Sequence, residues 1–480
     1  MNDLNHKPRG IKSIYIKVVN YLLAFFVSYG VFQSNSISLK LKNYYIIGLL
    51  FLGLCGILAF HVFSKDNRLY LLPSKKRNTI WNYIKPIDYL VLLFLIINSI
   101  WILFIPALNG FSIGDAVSEA GMLITFVLYF PLAILIRLKE IDFKFILKVF
   151  KTSTFILAFF YCVIWLPGAI KPGNIDTVFS FLKKIPFLIV GEYIKGWGII
   201  RFTISNTVLL GSGLLLFFLE KKPLSICSAL QIVIYVVAIL GTFLKSLWFG
   251  ILTGIAIIII YSICLIFSKK EIAKKQIKNI LIKSAYITLI VLILDVTLFQ
   301  GTVTNRFLNS FLNTGGINQN CEEIYFPENC PENSFDAEED RKGAIISNNI
   351  KIEQTKKLVK RWLESPLAGF GYGSYIPNYF RSETQLFVYE MTFFSLLMKL
   401  GIIGILSWLS LFVGALVLVV KSNISNLFYI IMWTAISITF VITIQTNPLL
   451  FTANSINLII FLILFGVYSS SIEQTSEDIK

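Results

Sequence analysis

Runs of about 17–25 apolar residues, long enough to cross a hydrocarbon core as helices, recur along nearly the whole chain. Twelve can be read, at 14–33, 44–63, 88–106, 119–136, 150–170, 202–219, 224–240, 246–267, 280–299, 391–420, 426–444 and 452–468. Composition agrees with that pattern: of 480 residues, 56% are hydrophobic and only 15% charged, and the mean hydropathy is +0.74. Such values belong to a polytopic membrane protein rather than a soluble globule. The predicted fold class is therefore an all-α polytopic membrane protein of about twelve transmembrane helices. The first run lacks a small-residue cleavage site and is expected to stay as an anchor.

Orientation follows from the lysines and arginines, which concentrate on the cytoplasmic side. The N-terminal tail "MNDLNHKPRGIKSIYIK" is basic, as are the loops "SKDNRLYLLPSKKRNTIWNYIKP", "RLKEIDFKFILK" and "SKKEIAKKQIKN". Alternate loops such as "ALNGFSIGDAVSEAG" and "QTNPLLFTAN" are nearly free of positive charge. Both termini are predicted to be cytoplasmic, with the odd-numbered loops facing out. The net charge of +16 is mostly this topogenic signal plus attraction to anionic lipid, so the bilayer is a partner and nucleic acid is not.

Four segments result: membrane helices one to nine over 1–299, a large outer loop over 300–390, helices ten to twelve over 391–468, and a cytoplasmic tail over 469–480. The large loop holds an acidic patch, "CEEIYFPENCPENSFDAEEDRK", and then "AIISNNIKIEQTKKLVKRWLE", which reads as an amphipathic helix with Ile350, Leu358, Val359 and Trp362 apolar. The fifth loop, 171–201, contains "FLKKIPFLIVGEYIKGWGII", which is expected to lie flat in the interface with Tyr193 and Trp197 at headgroup level. Cys55, Cys162, Cys227 and Cys264 fall in apolar runs and read as small apolar residues. Cys321 and Cys330, both in the outer loop, are expected to form a structural disulfide on the oxidising side of the membrane. No zinc-ligand spacing and no internal repeat is visible, and the second absence disfavours transporter folds built from inverted halves.

Only two histidines exist, His6 and His61, and both fall on the cytoplasmic side of this topology. An outer catalytic base must then be a carboxylate, lysine or tyrosine. Charged residues mark outer helix ends: Arg201 in "GWGIIRFTISNTVLLGSG", Lys245 in "GTFLKSLWFG", Arg306, and Arg361, Arg381 and Glu390 from the large loop and its exit. Singly, each reads equally well as a snorkelling side chain. Together they suggest a basic cavity rim with one acid among the cations, and guanidinium groups grip diphosphates by paired hydrogen bonds. The stretch "GFGYG" (369–373) either presents N–H groups to a phosphate or turns the chain back to the membrane; lacking Gly-Lys-Ser/Thr, it favours the turn. Lys399, early in the tenth run, needs a partner or a water-filled cavity, which points to a polar chamber beneath Glu390.

The layout resembles the bacterial O-antigen polymerase and O-antigen ligase superfamily, membrane glycosyltransferases of the GT-C type. That family's motif pairs arginine and tryptophan with "PLxGxGxGxY" and then "HNxxLxxLxxxGxxG". Arg361, Trp362, Pro366, Leu367, Gly369, Gly371, Gly373, Leu397, Gly401 and Gly404 fit it. "RFTISNTVLLGSG" and "TFLKSLWFGILTG" are similar to two further helix starts of the family. The architecture is similar throughout, whereas the motifs occupy three short stretches. Two residues depart from the pattern: Glu390 stands where a ligase has histidine, and Lys245 replaces an arginine, keeping charge without the bidentate grip. Those departures favour the polymerase branch over the ligase, and a polysaccharide flippase is the alternative from another class.

The resemblance implies a bacterial inner-membrane enzyme that joins undecaprenyl-diphosphate-linked repeat units, donor and acceptor, on the periplasmic face. Transfer would be inverting and independent of metal or other cofactors. Glu390 and Arg381 would be catalytic; Arg201, Lys245, Arg361 and Arg306 would hold the diphosphate. A chain-length-regulating protein is a further implied partner.

Overall fold

The computed structural model describes residues 9–32, 37–63, 83–138, 141, 143–170, 193–196, 199–202, 205–218, 224–266, 271–299, 301, 303–304, 337–379, 385–422 and 427–477. Its helices are α1 (Arg9–Phe32), α2 (Ile37–Phe63), α3 (Pro86–Leu103), the single turn α4 (Ile105–Leu108), α5 (Ile113–Ala120) and α6 (Tyr129–Arg137), the last two joined by a 3₁₀ segment, Gly121–Leu128. Then come α7 (Phe143–Ile170), α8 (Val208–Phe218), α9 (Ile226–Gly241), α10 (Lys245–Ile266), α11 (Glu271–Thr297), α12 (Ala337–Trp362), α13 (Thr392–Ser422), α14 (Leu427–Gln445) and α15 (Ala453–Glu477).

Each of the twelve apolar runs contains helix, although the sixth, 202–219, begins on a strand residue and is α-helical only over Val208–Phe218. Among the described residues, six helical stretches are long and apolar enough to cross a membrane, the longest being Thr392–Lys421, and further apolar helices are shorter. On α11, Leu289, Leu292, Ile293 and Val296 are each more than half exposed, a continuous apolar stripe that water would not tolerate and lipid does. The chain is a helical membrane protein. One departure from all-α is the antiparallel ribbon β1 (Tyr193–Gly196) and β2 (Ile199–Phe202), in register Tyr193↔Phe202 and Ile194↔Arg201. The fifth loop thus holds strand pairing where an interfacial segment was expected: β-branched and aromatic residues flank two glycines, which suits a tight hairpin. Trp197 lies outside the described residues.

Small residues allow the closest helix contact. Gly250 and Gly254, one helical turn apart on α10, meet Thr439 of α14, whose hydroxyl donates to Gly250 O at 2.8 Å. A side chain at either glycine would strike Thr439, so backbones approach as small-xxx-small faces do in membranes. α8, buried along its whole length, lies against both helices. At one end of the bundle, Asp88 near the start of α3 receives both Arg137 terminal nitrogens (2.6 and 2.9 Å), the Tyr129 hydroxyl (2.6 Å) and its own helix's Lys85 N–H (2.7 Å). Both charges are buried, and the fork-to-fork geometry occupies their hydrogen-bonding groups.

The opposite end is organised by a helix break. Gly401 inside α13 has φ of 60°, so the i→i−4 ladder lapses there. The loop 365–374 takes over. Phe370 N–H and Gly371 N–H donate to Met398 O (3.1 Å) and Lys399 O (2.7 Å), while Ile402 N–H and Ile403 N–H donate to Pro366 O (3.0 Å) and Leu367 O (3.1 Å). The four groups freed by the break are thereby paired, as a low-dielectric environment requires. The loop is seated on α3 as well: Trp101 Nε1 donates to Ala368 O (2.6 Å), and the Tyr372 hydroxyl to Asn98 Oδ1 (2.6 Å).

A Cβ at position 401 would collide with the Leu367 carbonyl in a left-handed conformation that L side chains resist. Gly401→Ala is expected to cost about 1–3 kcal/mol, read as a lower unfolding temperature of the purified protein in nanodiscs. Gly48→Ala, with nothing near its Cβ, is the control expected to leave that temperature unchanged.

Candidate functional site

Glu390 sits two residues before α13, half-buried, and is followed by two anchored residues. Met391 N–H donates to Gln354 Oε1 of α12 at 3.0 Å. The Thr392 hydroxyl donates to Ile444 O (2.6 Å) and Asn447 O (2.9 Å) at the end of α14. Asn447 Nδ2 in turn donates to Ser246 Oγ at 2.7 Å, in the first turn of α10 beside Lys245. A hydrogen-bonded path of three side chains therefore links the residue after Lys245 to the helix lip that carries Glu390.

Arg361, in the last turn of α12, lies 3.9 Å from the Phe370 ring centroid and pairs with Glu364. Its Nε is buried with no hydrogen-bond acceptor among the described residues. Phe370 belongs to a small second core with Leu358, Tyr379, Tyr389 and Met398. The buried stripe of α12 runs through Gln354 and Leu358, while Ile350, expected on that face, is exposed. The face is decided by Gln354, whose polarity hid it in an apolarity count and whose burial is compensated by the Met391 N–H. The Tyr389 hydroxyl accepts from Ile376 N–H (2.7 Å) and donates to Tyr379 O (3.4 Å). Burial pushes the Tyr389 phenol well above its ordinary pKa; the Ile376 N–H and Arg361 oppose that shift, and Glu119 adds to it. It stays protonated and ties residues 376 and 379 to residue 389.

Beneath Glu390, Lys399 has the partner its position demanded. Its ammonium pairs with one oxygen of Glu119 and donates to Phe387 O at 2.6 Å. The other Glu119 oxygen accepts from Gly373 N–H at 2.7 Å. Lys399 also lies 5.6 Å from the Tyr389 ring centroid and 5.8 Å from that of Phe387, within cation–π range. One carboxylate thus fastens α5, the 365–374 loop, the kinked α13 and the segment leading to Glu390. The amides of residues 369–374 all bond inside the protein, to Ser365 O, Met398 O, Lys399 O, Trp101 O, Glu119 and Gly371 O. "GFGYG" is a structural plug in the bundle, and none of those N–H groups is left to cradle a phosphate.

A cavity of about 190 Å³ opens beside this pair, lined in part by Glu119, Gln385, Phe387, Tyr389, Ser395 and Phe451. Of the residues singled out in the sequence, Glu390, Arg361 and the Lys245 turn gather at this end of the bundle. Arg201 lies on β2, whose backbone runs beside α7 and α9. Arg306, Arg381, Cys321 and Cys330 lie outside the described residues. Glu119, Tyr389 and Gln354 were not singled out. For Glu119 a signal existed, since a carboxylate at the edge of an apolar run is the natural counterion for a lysine inside another.

No protein-family model matches the chain, and no curated protein matches its sequence.

Lys399→Met would leave Glu119 buried beside an uncharged neighbour and is expected to cost about 3–5 kcal/mol. The double variant Glu119→Gln/Lys399→Met should recover most of that loss in the same nanodisc melts. Equal losses in single and double variants would mean the two charges are not coupled.

Proposed function

We propose that this protein is a polysaccharide polymerase, joining undecaprenyl-diphosphate-linked oligosaccharide repeat units at the extracytoplasmic face of a bacterial inner membrane. In this reading all twelve apolar helices span the bilayer, both termini are cytoplasmic, and the Glu390 end faces the periplasm. Support for the orientation comes from which segments meet near Glu390: Asn43, Glu119, residues 385–392 and Pro448–Thr452 lie in odd-numbered connections or at the run ends that border them. Even-numbered connections carry the basic clusters.

The observation that carries the catalytic reading is a carboxylate fixed at a helix lip. Gln354 and Thr392 hold its neighbours, Lys245 stands one hydrogen-bonded path away, and a polar cavity opens below. An acceptor sugar hydroxyl attacks the anomeric carbon of the growing glycan, and its oxygen–carbon bond forms as the bond to the diphosphate breaks on the opposite face. Glu390 takes the hydroxyl proton, a role typically worth about 10²–10⁴-fold in rate. The diphosphate leaves with its negative charge held by Lys245 and Arg361, with Arg201, Arg306 and Arg381 as the further cations of the rim. The departures at Glu390 and Lys245 favour repeat-unit joining over transfer to a lipid A core.

Glu390→Gln should abolish the ladder of repeats that purified protein makes from a lipid-linked repeat unit, with unfolding temperature and membrane insertion unchanged. A wild-type ladder from that variant would overturn the assignment of Glu390. Orientation is checked with single-cysteine chains in spheroplasts. Exposed Cys227 should resist an impermeant maleimide until lysis, and Leu108→Cys, at a position 81% exposed, should react at once.

A further inference from the structure

Proton removal and diphosphate departure take place on opposite faces of one carbon, so the groups that assist them must be held at a fixed separation. Lys245 begins α10 and Glu390 precedes α13. The end of a third helix, α14, relates those two starts.

α14 stops at Gln445, which leaves carbonyls of its last turn without intrahelical donors. Two side chains supply them. The Thr392 hydroxyl, at the start of α13, donates to Ile444 O (2.6 Å) and to Asn447 O (2.9 Å). Asn447 Nδ2 turns back on its own helix to Thr443 O (3.2 Å) and also donates to Ser246 Oγ (2.7 Å), the residue after Lys245. An amide nitrogen has two protons, and both are committed here, which fixes the plane of the side chain. Ser246 and Thr392 are 7% and 6% exposed, so bulk water does not compete for either hydroxyl.

Asn447 therefore joins three elements. Its side chain grips α10, its backbone carbonyl receives α13, and its own helix is the bridge. The bridge is stiff, because α14 and α10 meet at Gly250 and Gly254, where Thr439 leaves no room for a Cβ.

We propose that Asn447 is a positioning residue, setting the α10 start that carries Lys245 against the α13 lip that carries Glu390. It acts through those two elements and not on the reacting atoms. The inference rests on the glycan-transfer reading for what is positioned, and on these hydrogen bonds for the joint itself.

The test pairs Asn447→Leu, close in size and without a side-chain donor, with Ser246→Ala, which removes the acceptor hydroxyl. Both single variants and the double variant are purified in nanodiscs, and rates are counted per folded chain. Each single variant should lower kcat for repeat joining about ten- to a hundredfold, with KM for the lipid-linked unit unchanged. The double variant should lose no more than the worse single one, because the two side chains share one bond. A residue that only supported the fold would reduce the folded fraction and leave kcat per folded chain intact.

A second readout needs no turnover. Nitroxides attached to genetically encoded p-acetylphenylalanine at exposed Leu252 of α10 and Phe393 of α13 report the separation of the two helices by pulsed EPR. The wild type should give one narrow distance distribution, and each single variant a broadened or displaced one.

Wild-type kcat in a folded Asn447→Leu chain, losses that multiply in the double variant, or an unchanged distance distribution would each overturn the proposal. If Asn447→Leu does not fold, Ser246→Ala carries the rate and distance comparisons alone. A wild type that makes no ladder sinks the polymerase reading, and the distance measurement then decides the joint by itself.

Discussion

A helix surrounded by lipid has no water to hydrogen-bond its backbone where the ladder lapses. The break at Gly401 therefore exists only because residues 366–371 bring two carbonyls and two N–H groups to it. Everything at that end of the bundle follows from this docking. Once the loop is seated, Gly373 N–H meets Glu119, Glu119 meets Lys399, and Lys399 takes the Phe387 carbonyl. The last contact fixes the segment that ends at Glu390. A glycine with φ of 60° at position 401 is thus the geometric origin of the site, some ten residues from its candidate base.

The two ends of the bundle handle buried charge differently. Asp88 and Arg137 share four tight contacts with Tyr129, Lys85 N–H and each other. Glu119 and Lys399 use fewer partners and border open space. The first arrangement is a clamp that positions α3 against α6. The second leaves a carboxylate on a cavity wall.

Much of the fold was legible because membrane helices advertise themselves by run length, and every apolar run contains helix, the sixth over only part of its length. The need of Lys399 for a counterion was legible too, because a buried ammonium is costly wherever it lies. The identity of its partner was signalled only by a carboxylate at the edge of another run, since a contact between distant runs leaves no local periodicity. Gln354 was missed for a related reason: burying an amide depends on one N–H supplied by another element, which no apolarity pattern encodes. The ribbon at 193–202 was hidden by isoleucines and aromatics that serve an interface and a strand equally. At the candidate site, Glu390 and Lys245 were visible as charges at helix ends, while the Ser246–Asn447–Thr392 path between them depends on three-dimensional packing alone.

The separation of Glu119 and Lys399, 280 residues along the chain, has a consequence for biogenesis. At about 5–20 residues per second, the span carrying Glu119 leaves the ribosome tens of seconds before its counterion is made. During that interval the carboxylate waits without its counterion, and the loop that supplies Gly373 does not yet exist. The charge pair forms only when α13 is made and its lysine captures the waiting acid, and the contacts of Thr392 with Ile444 and Asn447 follow later still. A chain terminated before Lys399 would hold the Glu119 carboxylate without its counterion.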